Sequence, residues 1–140
     1  NHITGDNLLL NYGLKFTQPN GTLFITHIEN SSIFEQYMNV ISKIPDLPTD
    51  LAQETIKQQL LKEPLDYINS CIGLLTEKNL HINIKPIIKM GHAVSDYKNL
   101  LNEHKVDLLI FNTKEEEQLA MNGMAYSLVV EMTQIPLLLL

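Results

Sequence analysis

Apolar residues recur along this chain with two alternating periods. Positions 8, 9, 10, 12, 14 and 16 are apolar, which predicts a helix over 6–16, closed by the turn Gln18-Pro19-Asn20-Gly21. Thr22 to Ile28 is rich in β-branched and aromatic residues and predicts a strand. A helical excursion over 30–44 would place Phe34, Tyr37, Met38 and Ile41 on one face before Pro45-Asp46-Leu47-Pro48 ends it. Asp50 and Gln53 form a capping box for a long helix with Ile56, Leu60 and Leu61 on its apolar side. Pro64 should kink or split that helix, after which Leu65, Ile68, Ile72 and Leu75 continue at spacings of three and four toward a stop at Asn79. From His81 to Met90, Ile82, Ile84, Pro86 and Ile88 alternate with His81, Asn83 and Lys85, a strand with one wet face that its proline confines to a sheet edge. Val94, Tyr97, Leu101 and His104 give the next helix its inner stripe, and Val106 to Phe111 is nearly all apolar, as in a strand covered on both faces. A helix over 115–132, interrupted near Gly123, and a closing strand from Pro136 to Leu140 complete the pattern.

Strands that alternate with helices imply an α/β domain: an open, twisted parallel sheet with right-handed crossovers and helices on both faces. At 140 residues the whole of 1–140 reads as one domain with a sizeable core. Such folds bind ligands at the carboxyl ends of their strands. The stretch from Met90 to Thr113 has that grammar: a glycine turn, an amphipathic helix, then a buried strand ending in two small polar residues, Asn112 and Thr113. A domain of this kind normally opens on a central strand, whereas the pattern here opens on a helix. The first strand is therefore expected to precede Asn1.

Composition narrows the partners. A net charge of −6, with the 10 basic residues scattered, excludes a nucleic-acid reader, which needs a basic face. No apolar run is long enough to insert in a membrane. The single Cys71 rules out a disulfide framework and points to a reducing, cytoplasmic setting.

Three segments together resemble the universal stress proteins. Thr22-Leu-Phe-Ile-Thr-His-Ile-Glu29 is similar to their second strand, Met90-Gly91-His92 through Asp107-Leu-Leu-Ile-Phe-Asn-Thr113 to their glycine turn, helix and fourth strand, and Ile135-Pro136-Leu-Leu-Leu-Leu140 to their closing strand. The resemblance covers most of the chain from Asp6 onward. It implies a Rossmann-like fold of the adenine nucleotide alpha hydrolase type, a role in stress response, and a homodimer. It also raises a second role, since related domains are appended to membrane transporters such as cation/proton antiporters, to which this chain would then be tethered.

The resemblance carries a departure. In ATP-binding members the fourth strand is followed by Gly-x-x-Gly, nine residues, and Gly-Ser or Gly-Thr, so that backbone amides can approach the phosphates. On this chain the first glycine becomes Asn112 and the second Glu115, while the third falls near Gly123 or Ala125, with Tyr126 or Ser127 as the nearest hydroxyl. A side chain at these places removes room for close approach. Glu115, Glu116 and Glu117 would also repel a polyphosphate, at about 1 kcal/mol per like-charge pair 4 Å apart in water. The resemblance thus implies a degenerate nucleotide pocket, with ATP disfavoured as a cofactor. The acidic run is equally what the first turn of a helix favours.

The candidate ligand residues are Gly91, His92, Asn112, Thr113, Gly123 and Ser127. Each has a plainer reading as well. Asn112 and Thr113 could cap a turn, Gly91 could serve backbone geometry, and His92 could cap a helix. Histidines at 2, 27, 81, 92 and 104 lack the spacing of a metal site, and neither a Gly-x-Ser-x-Gly elbow nor a Walker loop is present. Ser31 and Ser32 follow a strand without an identifiable base and read as helix caps. No catalytic constellation emerges; slow nucleotide hydrolysis around Thr113 or Ser127 is the enzymatic alternative. The leucine strand, Pro136, Leu137, Leu138, Leu139 and Leu140, would be an exposed sticky edge, and pairing it across a two-fold axis satisfies both its amides and its leucines.

Overall fold

The computed structural model describes residues 3–112 and 124–140. Along the chain these form α1 (Ile3–Phe16), β1 (Thr22–Asn30), α2 (Ser31–Ile41), α3 (Thr49–Thr76), β2 (Asn83–Gly91), α4 (Ala93–Glu103), β3 (Leu109–Phe111), α5 (Met124–Glu131) and β4 (Leu137–Leu139). The α/β alternation read from the sequence is present throughout. The fold gathers into two compact units, one comprising Phe24–Ala93 and the other the residues before and after that span.

In the central unit β1 and β2 are hydrogen-bonded neighbours, α3 packs against β2, and α2 packs against α3. Ile28, Ile68 and Leu75 are its buried side chains. Four expectations change here. Helix α3 runs unbroken from Thr49 to Thr76 with Pro64 inside it. The proline removes one hydrogen bond to the Leu60 carbonyl, and packing on β2 and α2 offsets that loss. The N-cap of α3 is Pro48, without a side-chain cap, so Asp50 and Gln53 make no capping box. Asp50 lies in the first turn, where its charge suits the helix dipole. On α2, Phe34, Met38 and Ile41 are half-buried, whereas Tyr37 is exposed. At 100° per residue Tyr37 belongs with Ile33 and Val40 on an adjoining face, about a quarter-turn round the helix. In β2 the alternation holds at Asn83, Ile84 and Lys85 but Pro86 is exposed, and from Ile87 onward the strand is continuously half-buried. Asn79, with φ of 50°, ends the last turn after α3 as expected.

In the other unit β3 and β4 pair in parallel, Leu109 with Leu137, Ile110 with Leu138 and Phe111 with Leu139. Phe111, Leu128 and Met132 form the buried cluster, lined by Val94, Tyr97, Leu101, Leu109 and Leu137, and α1 packs against β3. Leu100 completes the inner side of α4, while His104, expected in that inner stripe, is exposed in the turn beyond the helix. The strand predicted over Val106 to Phe111 is shorter than its apolar run because the Val106 amide is already engaged. It donates to the Leu101 carbonyl, and the Lys105 amide to Asn102, a Schellman cap with Lys105 at φ 49°. The turn after α1 is also spelled in the sequence. Gly21 donates to the Gln18 carbonyl at 2.8 Å around Pro19 and Asn20, the latter at φ 64°, which is the chemistry of a type II turn. A Cβ on Gly21 would lie 2.8 Å from the Gln18 oxygen, so glycine is required there.

Candidate functional site

β1 ends at Asn30 in extended backbone, and its side chain caps α2 by accepting from the Ser32 amide at 2.9 Å. Asparagine is among the best caps because its short side chain reaches the free amides of the first turn. The capping role expected of Ser31 and Ser32 thus falls to Asn30, which leaves the Ser31 hydroxyl available. It lies 3.4 Å from His92 Nδ1. Ser31 therefore does have a base-type neighbour, 61 residues away in sequence. Because the first side chains past β1 and β2 meet, these neighbouring strands run in the same direction with their carboxyl ends together. That is the end of a parallel pair where ligands bind.

Gly91 closes β2 and is half-buried; its φ is not positive, so a left-handed backbone is not the reason for glycine here. His92 is exposed and directly precedes α4, the position of a helix cap. Upstream in β1, His27 Nε2 lies 2.9 Å from Glu29 Oε2, two residues apart on one face of the strand. The carboxyl end of β1 thus carries an imidazole–carboxylate pair in addition to the hydroxyl and imidazole of Ser31 and His92. Sequence reading missed Ser31 as a site residue; its position directly after a strand was the signal.

In the other unit, Asn112 is half-buried immediately beyond β3, and Ser127 is half-buried on α5 beside the deeply buried Leu128. Thr113, Gly123 and the acidic run Glu115 to Glu117 lie outside the described residues. Among the described residues, no three His, Cys, Asp or Glu side chains gather as a metal site would require. Cys71 is half-buried on α3. Within the closing segment, Leu137, Leu138 and Leu140 are half-buried while Pro136 and Leu139 are exposed, and one edge of β4 is taken by β3. No described helix is long and apolar enough to cross a membrane.

The fold so defined is a Rossmann-like α/β fold, with strands alternating with helices. It is similar to a solved structure, that of hypothetical protein MJ0577, reported as a structure-based assignment of biochemical function. The likeness extends over 99% of this chain and 87% of that chain, with a TM-score of 0.69 and 16% sequence identity. At that identity the likeness is one of fold. No family model matches the chain, and no curated protein matches it.

Proposed function

We propose that this chain is a non-catalytic regulatory domain of the universal-stress type, which senses a small ligand and acts through dimerisation across β4. The observation that carries the reading is Asn112, half-buried directly beyond β3. By the resemblance, this is the position of the first phosphate-loop glycine. A side chain at that point occupies the space a phosphate needs beside the backbone. What the fold retains is the carboxyl end of β1 and β2, with Ser31, Gly91 and His92 able to offer a hydroxyl, an amide and an imidazole. That set suits a small polar ligand with hydrogen-bonding edges, such as a nucleoside.

The test compares adenosine with Mg-ATP on the same protein by heteronuclear NMR titration. The reading predicts that the triphosphate adds no affinity over the nucleoside, with shifts centred on 30–32 and 91–93. Tighter binding of Mg-ATP by two orders of magnitude would overturn it.

A further inference from the structure

Helix α2 carries two apolar faces. Phe34, Met38 and Ile41 are half-buried, and α2 packs on α3. An adjoining face, about 100° round the helix, presents Ile33, Tyr37 and Val40, with Tyr37 53% and Val40 63% exposed. After the helix ends, Ser42 donates to Met38, Lys43 to Val40 and Ile44 to Ile41. That last helical turn carries the rotation on to Ile44, which is half exposed. The spacing of Ile33, Tyr37, Val40 and Ile44 is four, three, four, the seam that one helix offers to another. Exposed Leu47 and Leu51 continue the apolar series into the first turn of α3.

We infer that this face of α2 is a self-association surface, on which the α2 of a second copy of this chain docks antiparallel. The flanks decide the occupant. Beside Ile33, Tyr37, Val40 and Ile44 lie Ser32, Gln36 and Asn39, with Lys43 as the charge on that flank, while Glu35 falls on the far side of α2. A strongly charged partner finds nothing there to pair with. A helix that lies on a lipid surface carries Lys or Arg along its polar border, and this one does not. A like copy meets no such mismatch: the stripe is complementary to itself across a two-fold axis, and an antiparallel arrangement puts the two Lys43 side chains at opposite ends. The apolar surface exposed by Ile33, Tyr37, Val40 and Ile44 is a few hundred Å², against about 800 Å² per partner in a stable interface. The seam therefore supports a weak association, separate from the β4 pairing and seen at sub-millimolar concentration.

The experiment is sedimentation equilibrium of the full chain carrying Leu139→Lys, which removes the β4 route, with and without Tyr37→Glu and Val40→Glu. The expected result is a concentration-dependent dimer that the α2 substitutions weaken at least tenfold while circular dichroism stays unchanged. A second measurement keeps native β4: Val40→Cys should crosslink between copies with a short bismaleimide, and the unsubstituted chain, with only half-buried Cys71, should not. A Leu139→Lys protein that stays monomeric at sub-millimolar concentration, together with no crosslink, overturns the inference. So does association that the α2 substitutions leave intact, or flotation of the protein with phosphatidylcholine vesicles that Tyr37→Glu and Val40→Glu abolish.

Discussion

Ser31 Oγ and His92 Nδ1 stand 3.4 Å apart, although 61 residues separate them in the chain. The contact fixes the direction of β1 against β2 and brings two helix starts, those of α2 and α4, to one end of the strand pair. It exists because Asn30 has taken over the capping of α2. The division of labour between Asn30 and Ser31 separates a stability role from the binding role proposed for Ser31, and mutation can resolve the two.

Asn30→Ala should destabilise the protein by about 1 kcal/mol, the typical value of an N-cap hydrogen bond. Ser31→Ala should change stability by less than about 0.5 kcal/mol, as surface substitutions away from caps and cores do. Urea unfolding of both variants measures the difference. Equal losses at the two positions would mean that the Ser31 hydroxyl supports the helix start as much as the Asn30 side chain does.

Lys105 caps α4 from the left-handed region, at φ 49°. A side chain there costs roughly 1 kcal/mol relative to glycine, because Cβ crowds the following carbonyl. Lys105→Gly should therefore raise the unfolding free energy by up to about 1 kcal/mol, visible as a higher melting temperature. Lys105→Ala keeps the Cβ and should give no such gain.

Gly73 lies inside α3, and a Cβ built on it meets nothing within 4 Å. Glycine in a helix interior is less favourable than alanine by about 1 kcal/mol. Gly73→Ala should stabilise the chain by nearly that amount in a denaturant titration. Gly21→Ala should do the reverse, since its Cβ would sit 2.8 Å from the Gln18 carbonyl oxygen.

Leu139 is exposed at the end of β4, and the strand already uses one edge to pair with β3. If the other edge joins two copies, a charge in the joined strands opposes its own symmetry mate. Leu139→Lys should then shift the protein from dimer to monomer in sedimentation at low micromolar concentration. An unchanged mass there removes β4 as the dimer strand.

Much of this fold was legible because local chemistry and tertiary structure agree. Pro19-Asn20-Gly21 announces a turn that needs a positive φ at its third residue, and Asn20 supplies it. Asn79 ends the α3 segment for the same reason. The leucine run at the carboxyl terminus read as a strand, and it is one, in parallel register with Leu109 to Phe111. Where reading failed, a tertiary fact had overridden a local one. Pro64 does not divide α3, because the helix is held by its packing against β2 and α2. Tyr37 is on the solvent side because apolar residues occupy two adjoining faces of α2, and composition alone cannot say which is covered. The Ser31–His92 contact needs the strand pairing to be known before either residue points to the other. Asn112 was found from the resemblance and sits where a ligand end of the fold begins, while Thr113 and Gly123 lie outside the described residues.

The function proposed for this chain is that of a Rossmann-like fold that has lost a nucleotide binder's grip on phosphate. Isothermal calorimetry of the wild-type chain with Mg-ATP, beside Asn112→Gly combined with Glu115→Gly, tests it most directly. The account predicts no micromolar binding by the wild type and a gain of affinity in the double variant, where backbone amides become approachable and one repelling carboxylate is gone. Micromolar binding of Mg-ATP by the wild type, unimproved by the two glycines, would contradict it.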